Sequence, residues 1–178
     1  MASLTCRPQR PACAAPAPKK NLVVGIGAML ASNDAGATLV TYSLGSCVGV
    51  SIYDPVAKVG GMLHALLPDS SVSADRAASR PYTFVDLGLP AMFLAVYALG
   101  AVKLRLIVKM AGGAGFLDHK KIFNIGMRNI EAVMAMLAGN GVKLEAHATG
   151  GRESRTMRLD LNTGEITLDI PGRQLVSL

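Results

Sequence analysis

The sequence predicts an α+β fold, a mixed-sheet sandwich, on three observations. Strand-like stretches outnumber helical ones by about eight to two or three. The helices are interspersed among the strands rather than alternating strictly with them, which argues against a doubly wound sheet. The apolar residues make up 51% of the chain while aromatic residues are only 4%, with no Trp, so the core has to be aliphatic.

The elements read in order as follows. "NLVVGIG" (21–27) is a strand and "ASNDAGA" (31–37), rich in turn formers, is a loop. "TLVTY" (38–42) is a second strand. In "CVGVSIYD" the residues Val48, Val50 and Ile52 alternate with Cys47, Gly49 and Ser51, the period of a half-buried strand, and "VGGMLHALL" (59–67) is its partner. "PDSSVSADRAASRPYTF" is small and polar, a surface loop or loose helix. Pro90 suits the first turn of a helix through about Gly100, apolar on nearly every side and so expected to be buried. "KLRLIVKM" alternates basic and aliphatic residues as a strand closed by "AGGAG". A second helix runs from Asn124 to about Ala138, with Ile130, Val133, Met134 and Leu137 on one stripe and Gly139 or Gly141 as its stop. The end is all β: "VKLEAHAT", then "TMRLDL" and "EITLDI" joined across Asn162-Thr163-Gly164.

At 178 residues the chain has the size of one ordinary domain. The first twenty residues carry Arg7, Arg10, Lys19 and Lys20, no acid and four prolines, and read as a disordered basic extension (1–20) to a single domain (21–178). The body then holds 14 basic against 12 acidic side chains, so the overall charge of +6 is no nucleic-acid signal. The longest apolar run, Leu87 to Val102, is too short to span a bilayer and contains Pro90, so no membrane insertion is expected. Cys6, Cys13 and Cys47 form no CxxC pair, and His64, His119 and His147 have no metal-ligand spacing. A soluble protein in a reducing, cytoplasmic setting, with no metal and no cofactor, is expected.

The stretch from Thr41 to Pro68 carries the chemistry. A hairpin that pairs Tyr53 with Lys58 around Asp54–Ala57 sets Cys47 opposite His64, with Cβ atoms about 4.5–5.5 Å apart. In that register an imidazolium at His64 would stabilise the Cys47 thiolate and return a proton to a leaving group. The small residues Gly45 and Ser46 let backbone N–H groups approach a substrate carbonyl, as an oxyanion hole requires. Thr41 offers a hydroxyl to orient the imidazole or the substrate. On spacing alone the bland alternative is the commoner one for such residues: Cys47 as a small buried hydrophobe and His64 as a core residue with one hydrogen bond. The pairs Gly112-Gly113 and Gly150-Gly151 lack phosphate-loop context and read as tight turns.

Taken together, Thr41, "LGSC", the "YDP" turn, "GGMLH", the "LLP" exit, "RPYTFVDLGLPAM", "GGAGF", "FNIGMRNIEAV" and "GGRESRTMRLDLNTGEITL" make the sequence resemble the CheD family of bacterial chemoreceptor glutamine deamidases. The resemblance runs from about Leu22 to the C-terminus. It implies two packed mixed β-sheets flanked by helices (an α/β/β/α sandwich) and a catalytic Cys47, His64 and Thr41. It also implies a substrate, glutamines on the cytoplasmic helices of methyl-accepting chemotaxis receptors, and a CheC-type phosphatase as a further partner. The chain departs from the family pattern in "ATGG", where Ala148 replaces an acid, and at Ser154, where a glycine precedes the arginine. A non-catalytic adaptor of the same fold and a cysteine hydrolase acting on another protein amide or ester are the competing readings.

Overall fold

The computed structural model describes residues 19–115 and 124–178. Nearly all of the expected N-terminal extension, and His119, lie outside the described residues. The chain builds two five-stranded sheets. Sheet A takes β1 (Lys20–Val23), β3 (Ala37–Leu44), β8 (Arg155–Asp160), β9 (Ile166–Asp169) and β10 (Val176–Ser177) in that spatial order. Sheet B runs β2 (Ala28–Ser32), β5 (Val59–Ala65), β4 (Val48–Asp54), β6 (Ile107–Gly112) and β7 (Leu144–Thr149). The pairs β1–β3 and β6–β7 are parallel and the rest antiparallel, so both sheets are mixed.

Two apolar layers hold these sheets. Leu39, Leu44, Met62, Met157, Leu159 and Leu168 fill the space between sheets A and B. On the other side of sheet B, Val48, Val50, Ile52 and Leu63 pack under α2 (Val85–Ala98) and α3 (Ile125–Gly139) through Leu89, Met92, Val96, Ile130, Val133 and Leu137. Among the described residues, both long helices lie on this outer face of sheet B. A short helix, α1 (Ala74–Ser79), buries nothing and belongs to the polar surface segment the sequence predicted.

The central strands β4 and β5 are buried along their whole length, not half-buried as the alternation suggested. One face of β4 meets the helices and the other meets sheet A, so its small residues mark close approach rather than solvent. A Cβ at Gly49 would lie 2.6 Å from Leu44 Cδ1.

Several expectations are corrected. The strand β2 occupies residues that the sequence assigns to no element (28–30) or to a loop (31–32), because pairing with β5 outweighs weak local propensity. The β4–β5 hairpin pairs Asp54 with Val59 and Tyr53 with Gly60, two residues off the expected register. The cause is Asp54: its Oδ1 accepts the N–H groups of Val56 and Ala57, and Lys58 takes a left-handed φ of 54°, so Pro55–Lys58 is the loop. Helix α2 starts at Val85, five residues before Pro90, which faces solvent where the carbonyl it leaves free can be hydrated. Burial covers one face of α2 only, and Leu94 stays 69% exposed. In α3, Met134 is also exposed, off the buried stripe of Ile130, Val133 and Leu137. The helix stops where Gly141 takes φ +62°, with Gly141 and Val142 donating back to Ala138 and Leu137. Lys103–Arg105 form a 3-10 turn before β6, and the short C-terminal β10 was not foreseen.

Candidate active site

Thr41 and His64 come from different sheets and meet in the layer between them. Thr41 faces inward by the strand's alternation with Ala37 and Leu39, and an extra residue in β3 follows it. The pairing with β8 shifts by one between Thr41 and Leu44, with Ser43 at φ 57°, so both Thr41 and Leu44 point inward while Tyr42 and Ser43 reach the surface. On β5, Met62 and His64 face sheet A while Leu63 and Ala65 face the helices. Thr41 and His64 are both fully buried.

The hydrogen bonds fix the state of the imidazole. Thr41 Oγ1 donates to the Val24 carbonyl at 2.8 Å and lies 2.7 Å from His64 Nδ1. A hydroxyl has one proton, so with that proton on Val24 the Nδ1–H must donate to Oγ1. Nε2 then carries the lone pair, and it is buried without a hydrogen-bond partner among the described residues. Burial pushes the imidazole down from its ordinary value to about 4, so the ring is neutral near pH 7.

Cys47 sits in the bend between β3 and β4, partly exposed, and packs against the same inter-sheet layer. It does not start the strand, and the residue opposite His64 is Gly49, so the direct cross-strand pairing of Cys47 with His64 is overturned. The shift is by two residues, which keeps the same face of the sheet. Burial pushes the Cys47 thiol up, while a hydrogen bond from its own backbone N–H opposes this. Cys47 and His64 are therefore both held toward their neutral forms, in place of the thiolate and imidazolium that the sequence suggested.

Three successive carbonyls anchor the Cys47 bend. Gly45 O accepts from Ala114 N–H and Cys47 O from Gly113 N–H, both at 2.7 Å, and Ser46 O accepts from Asn129 Nδ2 at 3.0 Å. Gly112, at φ +103°, lets β6 pass beneath the bend: a Cβ there would lie 2.3 Å from Cys47 O. Gly112-Gly113 is thus more than the tight turn expected. Of the two predicted backbone donors, Gly45 N–H is bonded to Ser43 O at 2.9 Å. Ser46 N–H donates to no backbone acceptor among the described residues, and the Cys47 N–H lies beside its own thiol.

The sequence reading missed Val24 and Asn129. A backbone carbonyl leaves no sequence signal, but Asn129 does. It is a lone polar residue on the buried face of α3, four before Val133. Of the two departures from the family pattern, Ala148 lies in β7 and Ser154 in the loop before Arg155, which is held by Arg155 Nη2 on Gly150 O at 2.7 Å. Gly150 N–H donates in turn to Gly112 O at 2.9 Å, which ties this turn to the strand beneath Cys47. His147 is exposed on β7 and bonds Thr149, away from the buried His64.

Comparison with known proteins identifies the family. The family model "CheD chemotactic sensory transduction" matches residues 66–169. A Syntrophus aciditrophicus protein named "Probable chemoreceptor glutamine deamidase CheD 1" is 45% identical over 158 residues, 89% of this chain and 99% of the relative. The chain belongs to the CheD family. A second CheD relative, the "Probable chemoreceptor glutamine deamidase CheD" of Solibacter usitatus, is 41% identical over 155 residues, covering 87% of this chain and 92% of its own. A third, "CheD 2" of Anaeromyxobacter dehalogenans, is 44% identical over 147 residues, 83% of this chain and 92% of the relative. The match to the CheD family model begins after His64. An alignment of 158 residues in a chain of 178 nevertheless has to take in the stretch from Thr41 to His64.

Proposed function

We propose that this chain is a chemoreceptor glutamine deamidase working in the cytoplasm, with residues 21–178 as one catalytic domain and Cys47, His64 and Thr41 as its reacting and orienting groups. The observation that carries the reading is the His64 ring: Nδ1–H is committed to Thr41, and Nε2 is a buried lone pair with no partner among the described residues. A buried base left without a partner costs stability, and use of that lone pair in a substrate reaction accounts for the cost.

The mechanism starts from a neutral pair. Cys47 passes its thiol proton to His64 Nε2 as Sγ attacks the glutamine carboxamide carbon. The carbonyl π electrons move to oxygen, and the N–H groups of Cys47 and Ser46 hold the oxyanion. The imidazolium then protonates the amide nitrogen, the tetrahedral intermediate collapses, and ammonia leaves a thioester. Water attacks the thioester carbon, giving its proton to Nε2. The second collapse expels the thiolate, which takes that proton back, and the side chain leaves as glutamic acid, which releases its proton to water or to the departed ammonia and becomes glutamate. Thr41 keeps Nε2 as the basic nitrogen throughout by holding the proton on Nδ1.

Mass spectrometry of chemoreceptor cytoplasmic fragments incubated with the protein tests this. The wild type should convert particular glutamines to glutamate, a mass gain of about one dalton per site, while Cys47→Ala and His64→Ala each lose about ten-thousandfold or more in rate. Conversion by Cys47→Ala at the wild-type rate would sink the mechanism. No conversion by the folded wild type would favour a non-catalytic adaptor.

A further inference from the structure

Asn129 has no role in the reaction just described, yet its placement is unusual for a core residue. It is fully buried on the face of α3 that otherwise carries Ile130, Val133 and Leu137. Both Nδ2 hydrogens are used, one on Ser46 O at 3.0 Å and one on Leu66 O at 2.8 Å. Its Oδ1 is buried with no partner among the described residues. An unsatisfied buried acceptor costs about 1–3 kcal/mol, so an aliphatic side chain would serve packing better at this position.

The two carbonyls locate the purpose of that cost. The β4–β5 ladder ends at the pair Val48 and Ala65. One step further, the next partners in register are Cys47 and Leu66, and there the strands part as the chain turns into the Cys47 bend. The Asn129 amide bridges this gap, holding the residue before Cys47 and the residue two after His64 with a single planar group. The helix that carries it is seated on the same site: a Cβ at Gly126 would lie 2.5 Å from Gly113 O, and Gly113 and Ala114 donate to Cys47 O and Gly45 O.

We propose that Asn129 is a positioning residue that sets the Cys47 bend against the strand carrying His64, by tying the parted end of the β4–β5 hairpin. The inference rests on the reading of Cys47 and His64 as nucleophile and base. It assigns Asn129 to the geometry of attack, not to fold stability.

The test uses the full chain with Cys6→Ala and Cys13→Ala, leaving Cys47 as its one thiol. Asn129→Leu, Asn129→Asp and Asn129→Gln are compared with that parent and with Val133→Ala, which weakens the same helix without touching the tie. The readouts are the pH profile of Cys47 alkylation by iodoacetamide, and kcat and KM on receptor fragments. In Asn129→Leu the alkylation profile is expected to shift, and kcat to fall about tenfold to a hundredfold with KM within about twofold of the parent. Val133→Ala should lose stability and keep the parental alkylation profile and kcat. A folded Asn129→Leu with parental profile and kcat overturns the proposal. If Asn129→Leu does not fold, the same result in Asn129→Asp or Asn129→Gln overturns it, and so does failure of all three to fold. Alkylation needs no receptor substrate, so absence of deamidation in every protein would remove the deamidase reading while the alkylation comparison still decides the role of Asn129.

Discussion

At the scale of single residues, the unusual feature is a histidine kept neutral in a dry layer. Burial lowers His64 to about 4 from an ordinary value near 6.5. Between those pH values the unfolded chain binds a proton that the folded chain refuses. Stability is therefore fully present above about pH 6.5 and is lost as pH falls toward 4, by on the order of 3 kcal/mol. Urea denaturation at pH 7.5 and pH 4.5 should show this loss in the wild type and a flatter dependence in His64→Gln. An equal loss in the variant would place the proton uptake on other groups. The tautomer is a second residue-scale prediction. Nitrogen-15 NMR should find the His64 proton on Nδ1, and Thr41→Val should abolish that preference and slow deamidation by about a hundredfold. A proton on Nε2 in the wild type would contradict the assignment.

At the scale of elements, the β4–β5 hairpin owes its register to one carboxylate. Asp54 is fully buried and accepts from Val56, Ala57, Val102 and Arg105. Burial alone would raise its pKa, but the Arg105 guanidinium and the N–H groups of Ala57, Val102 and Val56 outweigh this and hold the carboxyl well below the usual range. Asp54→Ala removes the turn acceptor and leaves Arg105 and three N–H groups without their partner. We expect a loss of about 2–4 kcal/mol in denaturant titration, moderated because Arg105 keeps some contact with water. A loss under about 0.5 kcal/mol would show that the loop holds its register without Asp54. The sequence displayed the "YDP" turn plainly, but not its register. Sliding the pairing by two residues keeps every side chain on its face, so alternation does not distinguish the two arrangements.

At the scale of the whole molecule, the candidate site exists only because two sheets pack. Thr41 belongs to sheet A and His64 to sheet B, and the layer that joins them is built from Leu39, Met157, Leu159 and their neighbours. Leu159→Ala, in the middle of that layer, should cost about 2–5 kcal/mol. Site and fold should be lost together: the His64 ring signal and the far-UV circular dichroism are expected to share one urea midpoint, in the wild type and in Leu159→Ala. A His64 signal lost well before the circular dichroism would show that the sheets separate while each remains folded.

By itself the sequence determined the fold class, the main strands and helices, and the residues Cys47, His64 and Thr41 as candidates, because turn formers, apolar periodicity and reactive side chains are written locally. The existence of β2, the exposure of one face of α2 and the two-residue register shift were legible only in the folded structure. For the first two, a partner distant in the chain outweighs local propensity, β5 for β2 and sheet B for α2, while in the hairpin the local Asp54 turn sets the loop and Val102 and Arg105 anchor it from a distance. The same holds for the chemistry. Cys47 and His64 looked like an ion pair when read on one hairpin, and burial between two sheets and a helix layer makes the neutral forms the resting ones, because desolvation penalises charge.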